Sequence, residues 1–144
     1  MSIWTHVCGL IRFDAVPIVD LPSPEEIRRI FYTRVPYGSE GPLIIEVVRL
    51  GPNVSNPHPN IFVFDVLYAN VYIYGDLRDF DDMEYIANWV KESCKKCVDR
   101  HLIIRQAVVD IECEYKHLIL LYSDGKWKEI TVQEKEYEKL RRCD

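Results

Sequence analysis

Long apolar runs are absent. No stretch approaches the ~18–20 consecutive apolar residues that a membrane-crossing helix needs, so no membrane partner is expected. Basic charge is scarce as well: 18 Lys and Arg stand against 23 Asp and Glu, a net charge of −5. No basic run exceeds Lys95-Lys96 or Arg141-Arg142. Non-specific nucleic-acid binding draws on a basic surface, so nucleic acid is not an expected partner. The opening residues Met1 to His6 lack a basic segment followed by an apolar run. No secretory leader is therefore expected, and the cytoplasm is the expected compartment. On that reading the sequon Asn53-Val54-Ser55 has no use and the thiols stay reduced.

Signatures of catalysis and of cofactor binding are missing too. Gly38-Ser39-Glu40-Gly41 is no nucleophile elbow, because that motif is GxSxG between strand and helix and this serine precedes a strand. The histidines His6, His58, His101 and His117 have no nucleophile and carboxylate at a recognisable spacing. Cys94-Lys95-Lys96-Cys97 is a CxxC, but it falls at the end of a helical pattern. A redox CxxC opens a helix, where the dipole lowers the thiol pKa. Zinc on Cys94, Cys97 and His101 would lack a second CxxC or HxxxH. Buried thiols on an apolar helix face are the expectation, with Cys8, Cys113 and Cys143 completing the five cysteines. No metal and no cofactor are expected.

What is present reads as a single α+β domain spanning 1–144, with 48% hydrophobic residues, 28% charged residues and nine tyrosines. Residues 3–13 alternate with period two: Thr5, Val7, Ile11 and Phe13 face one way, and Trp4, His6, Cys8 and Arg12 the other. Both faces carry apolar groups, which predicts a central strand. Ser23-Pro24-Glu25-Glu26 opens a helix as a capping box, with Ile27, Ile30 and Phe31 as its buried stripe and Pro36 beyond its end. Residues 37–42 form a loop and Leu43–Leu50 a strand. A proline-rich loop over 51–60 precedes an apolar run, 61–74, long enough to be bulged near Ala69-Asn70. Gly75 to Asp82 reads as a charged loop. Asp79 or Asp81 caps a helix over 81–95. Residues 102–113 form a strand, and Ser123-Asp124-Gly125-Lys126 turns a hairpin within 115–132. Residues 133–144 are a short helix or a tail.

The order of elements predicts a ferredoxin-like βαββαβ sandwich over 1–114 with an added C-terminal β-hairpin. Chain direction then puts the 36–42 and 75–81 loops at one end. Ser39, Glu40, Asp76, Arg78 and Asp79 are the candidate binding residues of that loop end. Phosphate there would be repelled by Asp79, Asp81 and Asp82, and an Arg78 ion pair with Glu40 or a neighbouring Asp is the structural alternative. A second candidate is the sheet face without helices, an interface carrying Trp4, His6, Tyr72 and Tyr74. The hairpin, with Leu118, Leu120 and Trp127, is the element that could cover it. The aromatic RNA-recognition signature is missing from the strands.

Trp4-Thr5-His6-Val7 with Ile11-Arg12-Phe13-Asp14, Pro36-Tyr37-Gly38-Ser39-Glu40-Gly41, and Gly75-Asp76-Leu77-Arg78-Asp79-Phe80 carry a resemblance across residues 4–114. In these segments the chain resembles small uncharacterised proteins of phages and integrated mobile elements in Firmicutes. That resemblance implies a bacterial cytoplasm and a mobile-element gene, and no particular site residue. The leading expectation is a non-enzymatic binding protein that acts through protein–protein association. Its expected partner is a second copy of itself, with a host or phage protein as the other possibility. The alternative is a small-ligand sensor or enzyme using the loop end.

Overall fold

The computed structural model describes residues 2–15, 20–50, 66–114 and 116–133. The proline-rich 51–60 loop, the first residues of the 61–74 run and the tail from 134 onward lie outside the described residues, as do His58 and Cys143.

In chain order the elements are β1 (Trp4–Ala15), α1 (Pro24–Tyr32), the short pair β2 (Tyr37–Gly38) and β3 (Gly41–Pro42), β4 (Ile44–Arg49), β5 (Val66–Arg78), α2 (Met83–Asp99), β6 (Leu102–Cys113), β7 (Lys116–Ser123) and β8 (Lys126–Gln133). One antiparallel sheet runs in the order β4-β5-β1-β6-β7-β8. α1 rests on β4, α2 on β6, and the helices touch each other, so both lie on one side of an α+β sandwich.

Alternation explains the two faces. Val7, Ile11 and Phe13 of β1 are buried beneath the helices with Val71 and Ile73 of β5 and Val109 and Ile111 of β6. The intervening residues face away. β1 is paired along both edges, to β5 and to β6, as its apolar groups on both faces predict. The expected bulge is a register shift between Phe13 and Asp14, opposite Ala69 and Leu67. Tyr68 lies between those two partners. It is buried, and its hydroxyl donates to the Pro22 carbonyl at 2.6 Å.

Three expectations are corrected and one open alternative is decided. β5 runs on through Gly75 to Arg78, because β1 continues to pair with it as far as Trp4↔Arg78. Asp76 is therefore a sheet residue and not a loop residue. Asp82, directly before Met83, caps α2 by accepting from the Tyr85 amide at 3.0 Å. Asp79 cannot do this, being held at φ 57° with its N–H donating to the Ile3 carbonyl. α2 extends to Asp99, which carries Cys94 and Cys97 inside its last turns. Finally, the hairpin extends the sheet beyond β6 and does not fold over its open face. Leu118 and Leu120 point to the helix side, where both are buried.

α1 begins as its sequence predicts, with Ser23 Oγ accepting from the Glu26 amide at 3.2 Å and Pro24 in the first turn. Ile27 and Phe31 reach the core. The Phe31 and Trp89 rings meet edge-on at 6.0 Å, and the Trp89 indole N–H donates to the Phe31 carbonyl at 2.9 Å. Arg100, the C-cap of α2, bonds the Glu26 carboxylate at 2.7 Å and so ties the end of α2 to the start of α1. This hydrogen bond holds the Glu26 pKa below its ordinary value and raises that of Arg100.

A carboxylate with a depressed folded pKa stabilises the protein above its unfolded pKa, and loses that contribution as pH falls through the folded value. Glu26→Gln should therefore lower Tm at pH 7. Thermal melts of the two proteins should converge as pH falls below the ordinary glutamate range and through the depressed folded value; a difference that does not shrink with falling pH would assign the loss to something other than ionised Glu26.

Candidate functional site

The strand register arranges the helix-free face as rows across the sheet. The first row reads Asp76, His6, Glu112, His117 and Val132. The second reads Tyr74, Cys8, Asp110, Ile119 and Ile130, with Ile44 beside Tyr74. The third reads Tyr72, Leu10, Val108, Leu121 and Lys128, with Glu46 beside Tyr72. The fourth reads Asn70, Arg12 and Gln106, with Val48 beside Asn70. Apolar and aromatic side chains are spread across it: Ile44, Val48, Tyr72, Tyr74, Val108 and Ile130 each keep 36–45% of their surface exposed. Both described helices pack on the other face.

The rows of the face differ in charge. At the first row, His6 Nδ1 lies 2.5 Å from Asp76 Oδ1, and His117 Nε2 contacts Asp110 Oδ1. His6, Val7, Cys8, Asp76, Asp110 and Glu112 line a shallow cleft of about 280 Å³. No three His, Cys, Asp or Glu side chains among the described residues take a metal-holding arrangement. At the fourth row stands Arg12, whose Nε is buried and has no hydrogen-bond partner among the described residues. Beside it, Asn70 Nδ2 donates to the Tyr72 hydroxyl at 3.3 Å while Asn70 Oδ1 is unpartnered. In the middle, the Tyr74 hydroxyl donates to Glu46 at 2.7 Å, and the accepting carboxylate raises the phenol pKa.

The loop end is built differently. Ser39 and Glu40 form the turn between β2 and β3, and the Ser39 amide donates to the Arg78 carbonyl at 2.9 Å. Ser39 Oγ donates to Asp79 Oδ2 at 3.0 Å. Arg78 Nη1 bonds Glu40 at 3.3 Å, Arg78 Nε bonds Ser2 Oγ at 3.0 Å, and the guanidinium lies 5.9 Å from the Trp4 ring centre. Each polar group here holds another. Exposed pairs of this kind contribute at most about 1 kcal/mol each. The arrangement clips the β2–β3 turn to the end of β5.

Ser39, Glu40, Arg78 and Asp79 thus come together, while Asp76 sits apart from them on the sheet face with His6. Trp4, His6, Tyr72 and Tyr74 share the helix-free face, and Trp4 also touches the loop end through Arg78. Sequence reasoning missed Asp110, Glu112 and His117. The signal was available in β6, where Val108, Asp110 and Glu112 alternate with the core residues Ala107, Val109 and Ile111.

The CxxC is buried. Desolvation pushes the Cys94 thiol well up and that of Cys97 up to about 12, which leaves both protonated and unreactive at neutral pH. Cys8, by contrast, is an exposed free thiol. Comparison with protein-family models, with curated proteins and with solved structures gives no match.

A thiol reagent at pH 8 should reach Cys94 and Cys97 only on unfolding, as peptide mapping of the adducts would read; native labelling of the CxxC pair would contradict its burial. A Cβ on Gly38 would lie 2.8 Å from the Arg78 amide nitrogen and 2.9 Å from its carbonyl oxygen, backbone atoms that cannot step aside. Gly38→Ala should accordingly cost about 1–3 kcal/mol in denaturant melts.

Proposed function

We propose that this chain is a non-enzymatic association module whose binding surface is the helix-free face of the sheet and whose partner is a second copy of the chain. The observation that carries this reading is the set of exposed apolar side chains on that face, with Tyr72, Tyr74, Val108 and Ile130 in adjoining rows. Exposed apolar patches of a few hundred Å² are often functional. Six strands about 4.8 Å apart and four rows about 6.8 Å apart outline a face on the order of 600 Å². A stable interface takes roughly 800 Å² from each partner, so the face is of the right order for one isologous contact. Sheets stack face to face about 10 Å apart through such side chains.

The strand order and the βαββαβ succession of the long elements support reading the first 114 residues as a ferredoxin-like sandwich. The resemblance to phage and mobile-element proteins supports a bacterial cytoplasmic setting, where a host or phage protein would be the other occupant of the face. The loop end has no comparable observation in favour of a sensor or an enzyme. Its charged groups bond one another, and that contact accounts for them.

The test is mass in solution. Light scattering of the purified chain should give twice the monomer mass at micromolar concentration. Tyr72→Ala should weaken the dimer by roughly 2 kcal/mol, as loss of a central aromatic does, while circular dichroism shows the chain still folded despite the lost Asn70 bond to the Tyr72 hydroxyl. A wild-type chain that stays monomeric at 100 μM (about the concentration of a weak dimer) would sink the reading.

A further inference from the structure

One carboxylate of the open face stands among its apolar side chains. In the second row Asp110 has Cys8 on one side and Ile119 on the other, with Tyr74 and Ile130 beyond them. Val108 lies two residues along the same strand. The Asp110 side chain is 47% exposed and contacts His117 Nε2, on a ring that is only 16% exposed. A partner that covers Tyr74, Val108 and Ile130 together also takes Asp110 out of water.

A carboxylate moved out of water is costly unless a cation pairs with it. His117 can supply that cation, because histidine is the side chain that changes charge between about pH 5 and 8. With His117 neutral, the contact is a hydrogen bond and Asp110 carries its full negative charge into any interface. With His117 protonated, the two form an ion pair of no net charge. Two carboxylates face His117 from β6, Asp110 and the cross-strand partner Glu112, and β8 places Val132 opposite it. The other cations of the face stand elsewhere. Arg78 bonds Glu40 beyond the first row, Arg12 is two rows from Asp110, and Lys128 is one row and two strands away. His6 and Asp76 repeat the pairing in the first row.

We propose, resting on the self-association reading above, that the His117–Asp110 pair is a pH-sensitive switch on the open face. A proton on His117 admits the face to its contact with a second copy, and loss of that proton opposes the contact. Any orientation of the second copy that covers the apolar rows meets the same constraint, because water leaves Asp110 whichever of the partner's residues arrives. Burial of the face and protonation of His117 therefore favour each other. A symmetric dimer holds the pair twice, so both copies contribute to the linkage. The dimer is tightest below the range in which histidine titrates and weakens as pH rises through it.

Sedimentation equilibrium at about pH 5.5 and about pH 8, at constant ionic strength, tests the switch. The wild-type dimer Kd should rise at least about tenfold between the two. Asp110→Asn, with no charge to compensate, should dimerise at pH 8 as tightly as wild type does at pH 5.5 and lose most of the pH dependence. His117→Gln should dimerise weakly at both, because Asp110 then has no cation at either pH. His101→Asn, in the turn after α2 and off this face, should keep the wild-type slope, which separates the switch from a change in overall charge. Circular dichroism melts at each pH establish that the variants are folded; if His117→Gln is not, Asp110→Asn decides. A dimer whose Kd is the same at both pH values, or whose slope survives Asp110→Asn, overturns the switch and keeps the association reading. An Asp110→Asn dimer weaker than wild type at pH 8 overturns it as well, since the carboxylate then favours the contact. A wild-type chain that is monomeric at about 100 μM at both pH values overturns both.

Discussion

The structure depends on one constraint, the hydrogen-bonded ladders on both edges of β1. β1 pairs with β5 from Trp4↔Arg78 to Ala15↔Val66, and with β6 from Thr5↔Cys113 to Ala15↔Leu102. A strand fixed on both sides cannot slip by one residue without exchanging its faces. Such a slip would place His6, Cys8 and Arg12 under the helices and Val7, Ile11 and Phe13 in water. The register of this single strand thus determines which side chains meet α1 and α2 and which make up the open face. Irregularities are confined to its end. The pairing shifts on both sides of Phe13, which stays fully buried, and Asp14 and Ala15 beyond it are buried as well.

Much of this was legible because it is local. Period-two alternation marks β1 and β6. Ser23-Pro24 followed by Glu26 marks the start of α1. Asp124-Gly125, at φ 52° and 80°, marks the β7–β8 turn. The illegible parts involve competition between distant segments. Gly75 reads as a breaker, yet β1 supplies a pairing partner that keeps β5 extended for three further residues. Three aspartates lie before α2, and which of them caps it depends on what holds the others. Asp79 is occupied by Ser39 and Ile3, from other parts of the chain. The hairpin's two hydrophobic faces could equally serve a cover or an extension. Edge pairing with β6 decides that, and short-range pattern does not report it.

The same division runs through the candidate sites. Sequence topology brought the 36–42 and 75–81 segments together, because chain direction alone requires it. It could not say that Asp76 points to the sheet face, since that follows from one extra strand pair. The grouping of Asp76 with Glu112 and Asp110 depends on two registers at once, β5 to β1 and β1 to β6. The buried thiols show the reverse. The position of Cys94 and Cys97 late in a helical pattern was enough to set them apart from a redox pair, and the burial that raises their pKa values follows from the same apolar stripe.

The hairpin that lengthens the sheet also decides where its bare backbone lies. Without β7 and β8, the long, β-branched strand β6 would present its amides and carbonyls to any passing strand. With them, the outermost described strand on that side is β8, which begins Lys126-Trp127-Lys128. Lysines on a border strand repel a second border strand of the same kind and resist the open-ended stacking that leads to fibrils. The hairpin therefore gives this side of the sheet a border strand that disfavours sideways addition of another strand, which β6 as the border would not.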